Sequence, residues 1–170
     1  MDATPSPQAK PAPISNERYQ RLRGEQNLSV ALLAGIVAAV IGGIAWAIVT
    51  VTTEYQIGYM AIAVGFVVGF AVRLGKGVDK TFGILGAVLA LLGCVLGNVF
   101  SLIGFISKEQ HMGIGAVLSG LDYSKLPQMM SATFSAMDLL FYGIAVYEGY
   151  RFSFRRLTPE DLGLGQSSAK

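Results

Sequence analysis

Residues 30–51 read VALLAGIVAAVIGGIAWAIVTV, twenty-two consecutive positions without a charged side chain. At about 1.5 Å per residue, a helix of that length crosses the roughly 30 Å hydrocarbon core of a bilayer. Gly35, Ala39 and Gly43 recur every fourth position within the run. Such small-residue stripes let helices approach closely where lipid supplies no hydrophobic drive between them. The stretch reads as a membrane-spanning helix with one face reserved for packing.

Working outward, the residues before it are polar. Residues 1–28 carry Pro5, Pro7, Pro11 and Pro13 and then a charged segment opening at Ser15, with Glu17 and Arg21 four apart. This predicts a cytoplasmic tail ending in a short polar helix. A secretory signal has a shorter apolar core placed nearer the start, so the first run reads as a retained span. Towards the C-terminus the apolar runs 57–74, 82–106 and 129–150 predict three further spans. Between the last two, residues 112–121 are apolar but too short to cross, which predicts an interfacial segment. The expected organisation is a tail over 1–28, a four-span membrane domain over 29–151 and a second tail over 152–170. Near the end of the chain, Thr158-Pro159-Glu160-Asp161 has the pattern of a helix start.

The whole chain agrees. Of 170 residues, 52% are apolar and only 14% charged, against about a quarter charged in soluble domains. Disordered chains, coiled coils and disulfide scaffolds are excluded on composition. A formal charge of +2 gives no reason to expect a nucleic-acid partner. The single cysteine, Cys94, allows no intrachain disulfide and no paired-thiol redox chemistry. Of the 13 Lys and Arg, only Lys108 and Lys125 fall on the side of the 52–56 turn and the 107–128 segment. The positive-inside rule therefore places both termini in the cytoplasm. The fold class expected is all-α, an integral four-transmembrane-helix bundle.

Two features of the spans bear on function. The first is the set of small-residue faces: Gly35 and Gly43 in the first span, Gly65 and Gly69 in the second, Gly93 and Gly97 in the third. They serve packing within the bundle, or assembly into a homo-oligomer or onto a membrane protein partner. The second is Asp138, an acid inside the fourth apolar run, expected about 14 Å from its outer end. A carboxyl there costs at least roughly 2.5–3.5 kcal/mol on insertion scales and is expected to face the bundle interior. Ser131, Ser135, Asp138 and Tyr142 share one face at 4-3-4 spacing. Asn98, flanked on its own face by Cys94 and Ser101, lies at a similar expected depth. Asp138, Asn98, Ser135, Tyr142 and Ser101 thus form a candidate intramembrane polar site, with Asn98 and Asp138 expected to meet. Its role is structural, or it couples to a proton or cation, or it contacts a partner subunit.

Arg73, near the inner end of the second span, is expected to reach lipid phosphates or to turn inward to Glu148. Arg151, Arg155 and Arg156, interleaved with aromatics just past the last span, are expected to anchor at anionic headgroups. His111 stands without a cluster of further ligands, so no metal is expected, and no cofactor. The chain contains no HExxH, GxSxG or P-loop, and no histidine within a span. Catalysis is not expected.

Residues 59–73, YMAIAVGFVVGFAVR, with Leu74-Gly75-Lys76-Gly77 and the following ILGAVLALLGCVLGN, carry a resemblance to small bacterial multi-span membrane proteins. It covers roughly residues 31–98. The resemblance implies a bacterial cell membrane and brings no activity with it. The chain differs from small multidrug exporters, which carry an essential acid in their first span, where this sequence has none.

Together these features lead to the expectation of a non-enzymatic multi-pass membrane protein, an accessory or scaffold subunit assembling through its small-residue faces. The alternative is a small oligomeric ion- or proton-coupled channel or transporter using Asp138. Membrane lipid is the expected partner in either case.

Overall fold

The structure is a computed structural model, and it describes residues 16–55, 58–158 and 161. All regular structure in it is helical. The chain divides into two units, Gln26–Arg155 and a second made of Met1–Glu25 with Arg156–Lys170.

In the smaller unit, α1 (Asn16–Gly24) is a polar helix whose Leu22 is buried. An Arg21–Glu25 ion pair closes its last turn at 3.8 Å. Ser15, the expected start of this helix, lies outside the described residues, as do Pro159 and Glu160. Thr158 and Asp161 exchange bonds: the Thr158 N–H donates to Asp161 Oδ2, and the Asp161 N–H donates to Thr158 Oγ1.

The larger unit is a helical bundle. Asn27 caps α2 (Leu28–Thr53), accepting from the Val30 N–H. The helix ends at Glu54, whose φ of 60° breaks the repeat. After the turn come α3 (Tyr59–Arg73) and α4 (Lys80–Glu109). The short elements α5 (Ile114–Gly120), a 3₁₀ turn (Tyr123–Lys125) and α6 (Leu126–Thr133) lead to α7 (Ala136–Phe152). The helices α2 and α4 are each long and apolar enough to cross a membrane, and the α6–α7 pair would add a third as a bent span.

The pair α3 and α4 forms the centre, each touching both α2 and α7. Glycine and alanine set these contacts. A Cβ on Gly43 would lie 3.1 Å from the Gly97 nitrogen, and one on Gly93 would lie 2.6 Å from Val64. One on Gly65 would lie 2.8 Å from the Ala145 Cα, and one on Gly69 the same distance from the Phe152 Cβ. Gly35 faces Leu89 and Val72, and Gly97 faces the indole of Trp46. All six glycines read from the sequence as packing positions thus meet neighbours in their own chain. Close backbone approach multiplies dispersion contacts, the main attraction left between helices in lipid.

Outward faces carry large apolar side chains. On α2, Leu33, Val37, Ile41, Ile44 and Ile48 are exposed, as are Ile84 and Val88 on α4 and Leu139 and Leu140 on α7. Soluble monomers rarely present apolar surface on this scale.

The expected continuous helix over 129–150 is corrected by the structure. The segment Tyr123–Ser131 meets α7 at 103°, with Phe134 extended at ψ 126° and Ser135 extended at ψ 162°. The physical reason is local. Ser135 and Asp138 make a capping box that starts a new helix, and Pro127 at the start of α6 sets the earlier piece. The segment of short helices between α4 and α7 accordingly extends from α5 through α6.

At the end of the bundle far from Gln26 and Arg155, Lys108 donates to Glu54 Oε1 at 2.5 Å and joins α4 to the α2 terminus. Lys108 holds the Glu54 carboxyl below its ordinary 4.5, first through this hydrogen bond and then through its charge. A depressed carboxylate stabilises the fold above its ordinary value, and the contribution is lost as pH falls through the lower, folded value. Titration of Glu54 by carboxyl NMR is expected to give a midpoint below 4.5. In Lys108→Gln that midpoint returns to the ordinary value.

Candidate functional site

Of the polar residues read from the sequence, Ser135 and Asp138 meet at the start of α7, and Asn98 of α4 meets Tyr142 of α7. Ser135 Oγ accepts from the Asp138 N–H at 3.3 Å. The Asp138 carboxylate accepts from the Ser135 N–H at 2.8 Å and from Ser135 Oγ at 2.9 Å. Ser135 is exposed, whereas Asp138 is only 7% exposed. A carboxylate tolerates that burial when it accepts several hydrogen bonds and sits at the positive end of a helix. Asp138 is thus the third residue of α7 rather than nine positions inside a longer helix, so its depth is corrected too. It lies about 3 Å along the axis from the helix start.

Tyr142, one turn further along α7, reaches across to α4. Its hydroxyl donates to the Cys94 carbonyl at 3.1 Å and accepts from the Asn98 side-chain amide. Ser101 is 6% exposed and donates back to the Gly97 carbonyl one turn earlier at 2.7 Å. The structure therefore ties Asn98 to Tyr142, Asp138 to Ser135, and Ser101 to its own helix.

One uncharged residue of α2 joins this group. Trp46 is fully buried and meets the Tyr142 ring edge-on, with centroids 6.4 Å apart. Thr50 follows one turn later on α2 and is 1% exposed. Neither Trp46 Nε1 nor Thr50 Oγ1 has a hydrogen-bond partner. Phe134, at the helix break, packs edge-on against the other side of Tyr142 at 5.6 Å. A lone tryptophan and a threonine at i, i+4 inside an otherwise apolar run were the signal available in the sequence.

At the opposite end, Arg73 Nε donates to the Phe154 carbonyl at 2.9 Å, and the guanidinium lies over the Phe70 ring at 5.4 Å. The Arg155 N–H donates to the Gly77 carbonyl, and Gln26 Nε2 donates to Asp79 Oδ2 at 2.7 Å. Arg151 is exposed, with its guanidinium 5.8 Å from the Phe152 ring. Arg156, in the smaller unit, is exposed. Glu148, on α7, has a buried Oε2 without a hydrogen-bond partner.

Chemically, the group around Tyr142 offers hydroxyl, amide, indole and carboxylate groups in apolar surroundings. Among the described residues, no three His, Cys, Asp or Glu side chains come together as a metal cluster. No known protein family, curated protein or solved structure matches the chain.

Proposed function

We propose that the chain is a four-crossing membrane protein with a non-enzymatic, accessory role. In this reading α2, α3, α4 and α7 cross the bilayer and both termini lie in the cytoplasm. Eleven of the 13 basic residues fall on the terminal side. The apolar belts on α2, α4 and α7 face lipid, and α5 and α6 lie along the outer interface.

The observation that carries the accessory role is closure of the interior. The glycine faces are occupied within the chain, and Asp138 is held by the Ser135 cap with little exposure. A closed bundle offers a partner its outer surface, so assembly falls to outward apolar faces such as Leu33–Val37–Ile41–Ile48 of α2 rather than to the small-residue stripes. The test is extraction from the native membrane in a mild detergent or nanodisc, followed by the mass and identity of what co-elutes. A defined second subunit, or a fixed number of copies, is the expected result. A lone protomer at every lipid composition overturns the reading.

One observation favours the proton- or cation-coupled alternative. Trp46 Nε1 is unpartnered and buried against Tyr142, and Thr50 Oγ1 is unpartnered and buried one turn further along α2, the kind of residual polarity that intramembrane ion sites retain. In proteoliposomes that alternative requires a pH-gradient-driven flux that Asp138→Asn abolishes.

A further inference from the structure

Between α2, α4 and α5 lies an apolar groove of about 460 Å³. Ile44, Ile48 and Val51 form one wall, Ile103 the floor, and Ile114 and Leu118 of α5 the other wall. It extends from Ile44 to Thr52, about 12 Å along α2. Its volume falls within the ordinary range for a site that holds one small molecule. One turn beyond Gly104, which lines the groove, stands Lys108, and two residues beyond Thr52 stands Glu54. The groove thus opens beneath the ion pair that joins α2 to α4.

We propose that this groove seats one acyl chain of a phospholipid whose phosphoethanolamine headgroup is bound by Lys108 and Glu54. The inference rests on the membrane placement proposed above and goes beyond it.

Charge complementarity selects the occupant. Lys108 and Glu54 are 51% and 68% exposed at their side chains. An ammonium has three donors and a carboxylate about four acceptor sites, so each retains capacity after bonding the other. Lys108 donates to the lipid phosphate, and Glu54 accepts from the primary ammonium of ethanolamine. A choline headgroup has no N–H to give Glu54. An anionic headgroup meets a face on which Glu54, Glu109 and Asp122 outnumber Lys108 and Lys125.

The apolar walls supply shape more than affinity, because an acyl chain leaves one hydrocarbon environment for another. Headgroup contacts therefore decide which lipid stays.

The test is native mass spectrometry of the full chain, delipidated and then returned to nanodiscs of equal ethanolamine, choline and glycerol phospholipids. Wild type is expected to retain one ethanolamine lipid per chain, about threefold to fivefold over the choline lipid, the size of effect an exposed charge pair supplies. Glu54→Gln is expected to erase that preference while keeping bound lipid. Leu118→Trp, which fills the groove, is expected to lose lipids of all classes, and Ile48→Trp does the same from the α2 wall. Val67→Trp, on an exposed face of α3, is expected to behave as wild type. Helical circular dichroism and a single elution peak qualify each variant as folded.

Equal retention of ethanolamine and choline lipids by wild type overturns the proposal. So does unchanged lipid retention in both groove-filling variants, or a co-purifying polypeptide that excludes lipid from the groove. Release of the chain from membranes by alkaline carbonate overturns the membrane placement itself. A chain that resists carbonate but shows no ethanolamine preference overturns only the lipid site.

Discussion

Gly149→Leu is expected to unmake the bundle, whereas Gly143→Leu, six residues earlier on the same helix, is expected to leave it intact. A Cβ on Gly149 would lie 2.6 Å from both the Gly86 carbonyl oxygen and the Ala90 Cβ. The first of these is backbone, so relief requires α4 and α7 to separate. Separation would undo the neighbouring seams, since Gly86 packs against Gly149 and Ser153 and Gly65 packs against Ala145. The expected loss is about 3 kcal/mol or more, at the upper end for overpacked sites. It is read as a steep fall in detergent-resistant melting temperature and in monodisperse yield. Gly143 has nothing within 4 Å of its ideal Cβ, so leucine there meets open space. Equal melting of the two variants would refute the seam as the main contact of α7.

Trp46→Ala carries the second large effect. The indole is fully buried, lies against Gly97 and meets Tyr142 edge-on. In soluble proteins such truncations cost about 3–5 kcal/mol, part transfer and part cavity. In the membrane placement proposed above, the transfer part shrinks and the lost dispersion contacts remain, so the expected cost is about 3 kcal/mol. Trp46→Phe keeps most of the volume and removes the unpartnered N–H. Its stability is expected close to wild type, because a buried donor without an acceptor contributes nothing favourable. A Trp46→Phe protein as unstable as Trp46→Ala would show that the indole N–H holds a partner essential to the fold.

The first three apolar helices were legible because each coincides with a run lacking interior charge, and the physics of such runs is local. The partners of the glycines were not legible. Whether Gly65 meets Ala145 or another chain depends on contacts 80 residues apart in sequence. The helix break at residues 134–135 illustrates a different failure. Ser135-Ala136-Met137-Asp138 has the spacing of a capping box, and the structure uses it as one. The apolar content of 129–150 runs on across it, so the sequence presents Asp138 as an isolated acid rather than as the far half of a cap. Of the site, Asp138, Asn98 and Tyr142 could be found because polar side chains are conspicuous within apolar runs. Trp46 and Thr50 blend into an apolar helix until their neighbours are known.

The helices running away from the termini, α2 and α4, have 26 and 30 residues, whereas the returning α3 and α7 have 15 and 17. At about 1.5 Å per residue, the returning pair measures roughly 22 and 25 Å and falls short of a 30 Å hydrocarbon layer. In the membrane placement proposed above, the bilayer beside α3 and α7 must thin to meet them, while beside α2 and α4 it need not. Hydrophobic mismatch of this kind costs fractions of a kcal/mol per ångström and sorts proteins by membrane thickness. A one-sided mismatch gives the chain a preferred neighbourhood, with α3 and α7 turned towards thinner lipid, and it draws together copies that share the same thinned patch.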